Sequence, residues 1–101
     1  MTRRIVDLHP EAIAEGREAR LWYRLRSQMV EERFRLALRR AIASIRAAPE
    51  RWPVDNDDLR QCRVIGFPYR LIYWTDGESS LVVAIAHNKR RPGYWRERLS
   101  R

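Results

Sequence analysis

"YRLIYWTDGESSLVVAIAH", residues 69–87, holds two strand-like runs around a short polar centre. Over 69–75, Tyr69, Leu71 and Tyr73 alternate with Arg70, Ile72 and Trp74, the two-residue period of a strand. "SSLVVAIAH" (79–87) is a second strand, and "DGE" between them supplies the turn of a hairpin. Just upstream, "CRVIG" (62–66) reads as a third strand. A loop rich in proline and aspartate, "PERWPVDNDDLRQ" (49–61), separates it from what precedes.

Upstream of that loop the period changes. "RIVDLHPEA" predicts a short strand over residues 3–8, with Val6 and Leu8 on one face, running into a helix. Pro10 suits a first helical turn, and Glu11 suits the positive end of the helix dipole. His9, just ahead of them, reads as a cap or surface residue. Ala12, Gly16, Ala19 and Tyr23, with Trp22 beside them, keep helical spacing to about Arg26. "RSQ" marks a break. A second helix is predicted from about Met29 to Ala48, with Val30, Phe34, Leu38, Ala41, Ile42 and Ile45 as one apolar stripe. Arg33, Arg35, Arg39, Arg40 and Arg46 fall mostly off it, and Pro49 ends the helix. The order is β-α-α-β-β-β, an α+β fold in which an antiparallel-type sheet is backed by an antiparallel helical hairpin.

With 101 residues the chain holds one domain. Its longest apolar run, "LVVAIA" (81–86), is far short of a membrane span, and no signal peptide is evident. A single cysteine, Cys62, forms no internal disulfide and fits a cytoplasmic protein. The net charge is +8 and the sequence pI about 10.9. Lys89, Arg90, Arg91, Arg96, Arg98 and Arg101 stand against Glu97, a net +5 in the last 15 residues. Such a chain expects a polyanion or an acidic protein partner, or else carries a solvated basic surface.

No metal cluster is visible: His9 and His87 are the only histidines, and Cys62 has no mate at ligand spacing. No glycine-rich phosphate loop and no nucleophile elbow occur. No cofactor is implied. The candidate chemistry is therefore arginine-centred. Arg70 should emerge on the face opposite Tyr69 and Leu71, with Arg63 on the neighbouring strand and His87, Lys89, Arg90 and Arg91 after the last one. Arg70 alternatively holds a structural ion pair with a helix carboxylate. Trp52 and Trp74 read as core or rim packing.

"HPEA", "WY" on the first helix, "PERWP", "FPYRLIYW" and "AHNKRRPGYWRERL", in this order, resemble the RelE/ParE family of bacterial toxins. The resemblance covers nearly the whole chain and implies the same β-α-α-β-β-β fold. It also implies a type II toxin, held inactive in a hetero-oligomer by a cognate acidic antitoxin whose segment wraps it. ParE-like members poison DNA gyrase, while RelE-like members cut mRNA on the ribosome. Arg70 and Arg90 match family arginines, Arg63 lies where the ribonuclease branch tends to have lysine, and Tyr94 stands near that branch's C-terminal tyrosine.

On the RelE-like reading the catalytic set is Arg63, Arg70, His87, Arg90 and Tyr94. Cutting RNA needs a base and an acid beside cations, and arginine supplies only charge. That set is incomplete, and the long hairpin and "HNKRRPGYW" look more ParE-like. The favoured expectation is gyrase inhibition, with Lys89, Arg90, Arg91, Tyr94, Arg96 and Arg98 meeting the target. Trp22, Tyr23, Arg70 and Trp95 are the expected antitoxin footprint. A third reading is a non-toxic basic nucleic-acid-binding domain or an inactive relic. Pro92 and Gly93 should turn the chain into a short helix, "YWRERL", pinned by Tyr94 and Trp95 with its arginines facing outward.

Overall fold

A computed structural model describes residues 4–99; Arg3, the expected first strand residue, and Arg101 of the basic tail lie outside the described residues. Strand β1 spans Ile5–Leu8, helix α1 Pro10–Arg24, helix α2 Gln28–Ala47, and strands β2, β3 and β4 span Arg60–Val64, Tyr69–Thr75 and Ser79–His87. A 3₁₀ helix, Tyr94–Leu99, follows. The expected α+β order holds. Strand β2 starts and ends two residues earlier than predicted, because Ile65 to Pro68 form a turn in which Gly66 adopts φ 89°.

Each helix start has a local cause. His9 caps α1 by accepting the Glu11 N–H on Nδ1 at 3.1 Å, and Pro10 follows at the first turn. Ser27 caps α2 by accepting the Val30 N–H at 3.2 Å. The two helices are tied by Glu31, buried in α2, which accepts from Arg20 and Arg24 of α1 at 3.4 and 3.3 Å. Phe34, Ala41 and Ile45 are buried against the sheet, while the α2 arginines 33, 35, 39, 40 and 46 are exposed.

The sheet order is β1-β4-β3-β2. The β2–β3 and β3–β4 pairs are antiparallel, as expected, but β1 lies parallel to β4. The sheet is therefore mixed, since the whole chain between β1 and β4 supplies the long crossover a parallel pair needs. The helix side of the sheet buries Leu71, Tyr73, Val82 and Ile85 against α1 and α2. The far side buries Ile72, Ala84 and Ala86 under Leu59 and Trp95. Trp52 packs edge-on to Tyr73 at 6.3 Å, and Trp74 lies at the rim.

One irregularity sets up the functional region. Ile72 pairs with Ala84 but Tyr73 pairs with Val82, so Val83 is an extra residue in β4. Val83 and Ala84 both join the far-side core, and Ile85 returns to the helix side. His87 consequently sits beside Tyr69 on the helix side, ring centroids 5.0 Å apart, whereas Arg70 emerges on the far side. Gly16 lets α1 approach this part of β4: a Cβ there would lie 3.1 Å from Ile85 Cδ1.

Candidate functional site

The close approach of α1 places Glu15 against the bulged end of β4. Strand β1 ends at Leu8, opposite Val82, so the edge of β4 beyond that point has no neighbouring strand. Side chains satisfy it instead. Glu15 accepts the Ile85 N–H at 2.9 Å, and Arg98 donates to the Val83 carbonyl at 2.9 Å. Glu15 also accepts the Tyr94 hydroxyl at 2.6 Å and two bonds from Arg98 at 3.0 and 2.9 Å. One carboxylate thus joins α1, β4 and the tail. Burial alone would raise its pKa, but the bonds from Arg98, Tyr94 and Ile85 outweigh it and hold the group below its ordinary 4.5. Burial, and then the Glu15 carboxylate, push the Tyr94 phenol well above its ordinary value.

The tail leaves β4 through a tight set of local bonds. Asn88 N–H donates to the Pro68 carbonyl at 2.9 Å, Lys89 N–H to His87 Nδ1 at 3.0 Å and Arg90 N–H to the His87 carbonyl at 3.0 Å. Gly93 turns the chain at φ 83°, where a side chain would meet Arg96. Trp95 is buried on the far-side core, with Tyr94 edge-on to it at 5.1 Å. The expected short helix and its two aromatic pins are therefore present, as a 3₁₀ turn.

The expected outward arginines are only partly so. Arg98 turns inward: its side chain is 10% exposed and pairs with Glu15 and, at 3.3 Å, with Glu11. The cause is the unpaired β4 edge, which needs a donor and an acceptor that Arg98 and Glu15 provide. Arg96 stays exposed while bonded to Asp57 at 2.7 Å. Lys89, Arg90 and Arg91 are exposed and have no ion pair among the described residues. Arg90 lies over the Tyr94 ring, 4.1 Å from its centroid.

Between α1, the end of β4 and the tail is a cleft of about 420 Å³. Trp22, Tyr23, His87, Arg90 and Tyr94 line it, with Glu15 and Glu18. Trp22 is half exposed under Arg26, whose guanidinium is 3.6 Å from the ring centroid. Tyr23 belongs to an aromatic cluster with Phe34 and Phe67, at 5.0 and 5.2 Å. Burial raises the Tyr23 phenol pKa.

Arg63 and Arg70 are elsewhere. They face each other across the β2–β3 ladder, on the far side of the sheet. Among the described residues Arg70 has no carboxylate partner; it donates to Asn88 Oδ1 at 3.5 Å and its Nε is buried without an acceptor. Trp95 Nε1 is likewise buried and unbonded. Arg70 and Trp95 are thus separated by the sheet from Trp22 and Tyr23, with which the sequence reading grouped them. No group of three or more His, Cys, Asp or Glu that could hold a metal occurs among the described residues, and no helix among them is long and apolar enough to cross a membrane.

Sequence reasoning missed Glu15. The available signal was the pairing of Glu11 and Glu15 one turn apart on α1, opposite a strongly basic tail.

A search of curated proteins finds no match. The family model for the ParE toxin of the type II toxin-antitoxin system, parDE, matches residues 6–92, from β1 to just before the 3₁₀ helix. That span includes the helical hairpin, all of the sheet except Ile5, and the first cations of the tail. The chain belongs to the ParE toxin family of type II toxin–antitoxin systems.

Proposed function

We propose that this toxin acts by inhibiting DNA gyrase, through the exposed cations of its tail, and that an acidic antitoxin neutralises it. The observation that carries the proposal is the distribution of the cationic groups. Arg63 and Arg70 project from the far side of the sheet, while His87 and Arg90 line the cleft on the helix side. The two pairs start from opposite faces of the sheet and do not form one preassembled cluster. Tyr94 is a poor general base, because its hydroxyl donates to Glu15 and its pKa is raised. Arginine contributes charge but no proton transfer at neutral pH. The alternative ribosome-dependent RNA cleavage lacks a converged acid–base set.

The tail suits a protein target better. Glu15 and Trp95 hold its frame, and Lys89, Arg90 and Arg91 extend from it with no carboxylate partner among the described residues. A family of this type brings a protein antitoxin. The cleft beside Trp22, Tyr23 and Arg90 fits an amphipathic acidic segment, its apolar side on the aromatics and its carboxylates on the cations. Such a complex is a hetero-oligomer, and its expected place is the cytoplasm. The test runs purified protein in gyrase supercoiling assays and, in parallel, in translation reactions with purified ribosomes. Loss of supercoiling with intact mRNA supports the proposal; ribosome-dependent cuts with unaffected supercoiling refute it.

A further inference from the structure

At the opposite edge of the sheet a second cleft opens between α2, the loop after it and β2. Its volume is about 390 Å³. Arg40 comes from α2, Arg51 and Trp52 from the loop, and Arg63 from β2, with Ala41 and Cys62 among the remaining lining residues. No carboxylate lines this cleft, in contrast to the α1 cleft with Glu15 and Glu18. Arg40, Arg51 and Arg63 have no ion pair among the described residues.

Arg40 and Arg51, like charges from two separate elements, gain nothing by meeting at one cleft; Arg63 borders it from the edge strand β2, whose alternation sends its side chain to the far side. Folding therefore does not explain the cluster, but an anion would. Arg51 lies close enough to Cys62 to oppose the rise that burial imposes on its thiol pKa. The aromatic element is fixed in advance. Arg60 donates to the Trp52 carbonyl at 2.5 Å and to the Glu50 carbonyl at 3.2 Å, and the indole rests edge-on against Tyr73. Arg51 lies 5.2 Å from the Trp52 ring centroid, which sets a guanidinium beside a flat π-face.

We infer that this cleft binds a nucleoside phosphate, free or as the end of a single strand. The guanidinium forks match phosphate oxygens, and the indole offers a stacking surface for a base. The volume lies in the usual range of small-ligand sites, roughly 300–1,000 Å³. An acidic peptide would satisfy the arginines and leave the indole unused.

Isothermal titration of the full chain with ADP, adenosine, pyrophosphate and an eight-residue oligodeoxyadenylate tests the assignment. ADP should saturate one site and bind at least tenfold more tightly than either adenosine or pyrophosphate. Arg40→Ala and Arg51→Ala should each weaken it about tenfold or more with an unchanged melting temperature, and Trp52→Phe should retain it. An oligonucleotide that binds more tightly than ADP, with the same sensitivity to both arginine variants, assigns the ligand to a strand end. The inference is overturned if ADP shows no saturable binding up to millimolar concentration, if pyrophosphate binds as well as ADP, or if both arginine variants bind as the wild type does.

Discussion

Replacing Glu15 by glutamine removes one charge at the point where α1, β4 and the tail meet, while nearly preserving shape. Four donors converge on that carboxylate: Ile85 N–H, the Tyr94 hydroxyl and two guanidinium N–H groups of Arg98. The Arg98 and Glu15 side chains are 10% and 14% exposed. Removing one member of a buried pair costs about 3–5 kcal/mol. Glu11 remains 3.3 Å from Arg98 but is largely exposed, so we take the lower end, about 3 kcal/mol. For a domain of this size that loss lowers Tm by roughly 12–24 °C if it is felt globally.

The pH dependence has a definite sign. The folded-state pKa of Glu15 lies below 4.5, so its stabilisation is complete above that value and is lost as pH falls through the folded pKa. Wild type should therefore lose tail protection in amide hydrogen exchange over Tyr94–Leu99 below pH 4.5, while Glu15→Gln has low protection already at neutral pH. A Glu15→Gln protein with wild-type Tm and wild-type tail protection would refute the role assigned to this carboxylate.

Trp95→Ala should cost about 3–5 kcal/mol, because it empties the far-side core, and thermal melts of the purified variant check it. Arg98→Ala should likewise lower Tm, since it uncovers the Val83 carbonyl and leaves Glu15 without its cation; an unchanged melt places Arg98 back on the surface. Trp22→Ala should leave Tm nearly unchanged and weaken co-elution with the antitoxin in size-exclusion chromatography, because half the residue is exposed at the rim of the cleft.

The helices and the 69–87 hairpin were legible because their apolar periods differ and each begins or ends at a turn or cap residue. His9 and Ser27 mark the two helix starts, although only His9, ahead of Pro10 and Glu11, stands out in the sequence as a cap candidate. The parallel placement of β1 was not legible: its four residues pair with a strand more than seventy positions away, and no local pattern encodes that choice. The bulge was hidden for a different reason. "LVVAIA" is apolar at every position, so a change of facing at Val83 leaves no trace in the alternation, and the side on which His87 emerges could not be read. Arg98 resembled its neighbours in composition; what turns it inward is an unpaired strand edge that exists only in the folded sheet. Arg70, in contrast, lies where alternation put it, opposite Tyr69 and Leu71.

If the fixed tail presents Lys89, Arg90 and Arg91 to gyrase, as proposed, supercoiling by purified gyrase responds to them. Arg90 is exposed, has no ion pair among the described residues and lies over the Tyr94 ring, so Arg90→Ala should melt like the wild type. Wild-type protein should inhibit supercoiling, and Arg90→Ala should do so at least tenfold less effectively. Undiminished supercoiling in the presence of excess folded wild-type protein, or full inhibition by Arg90→Ala, would contradict the proposal.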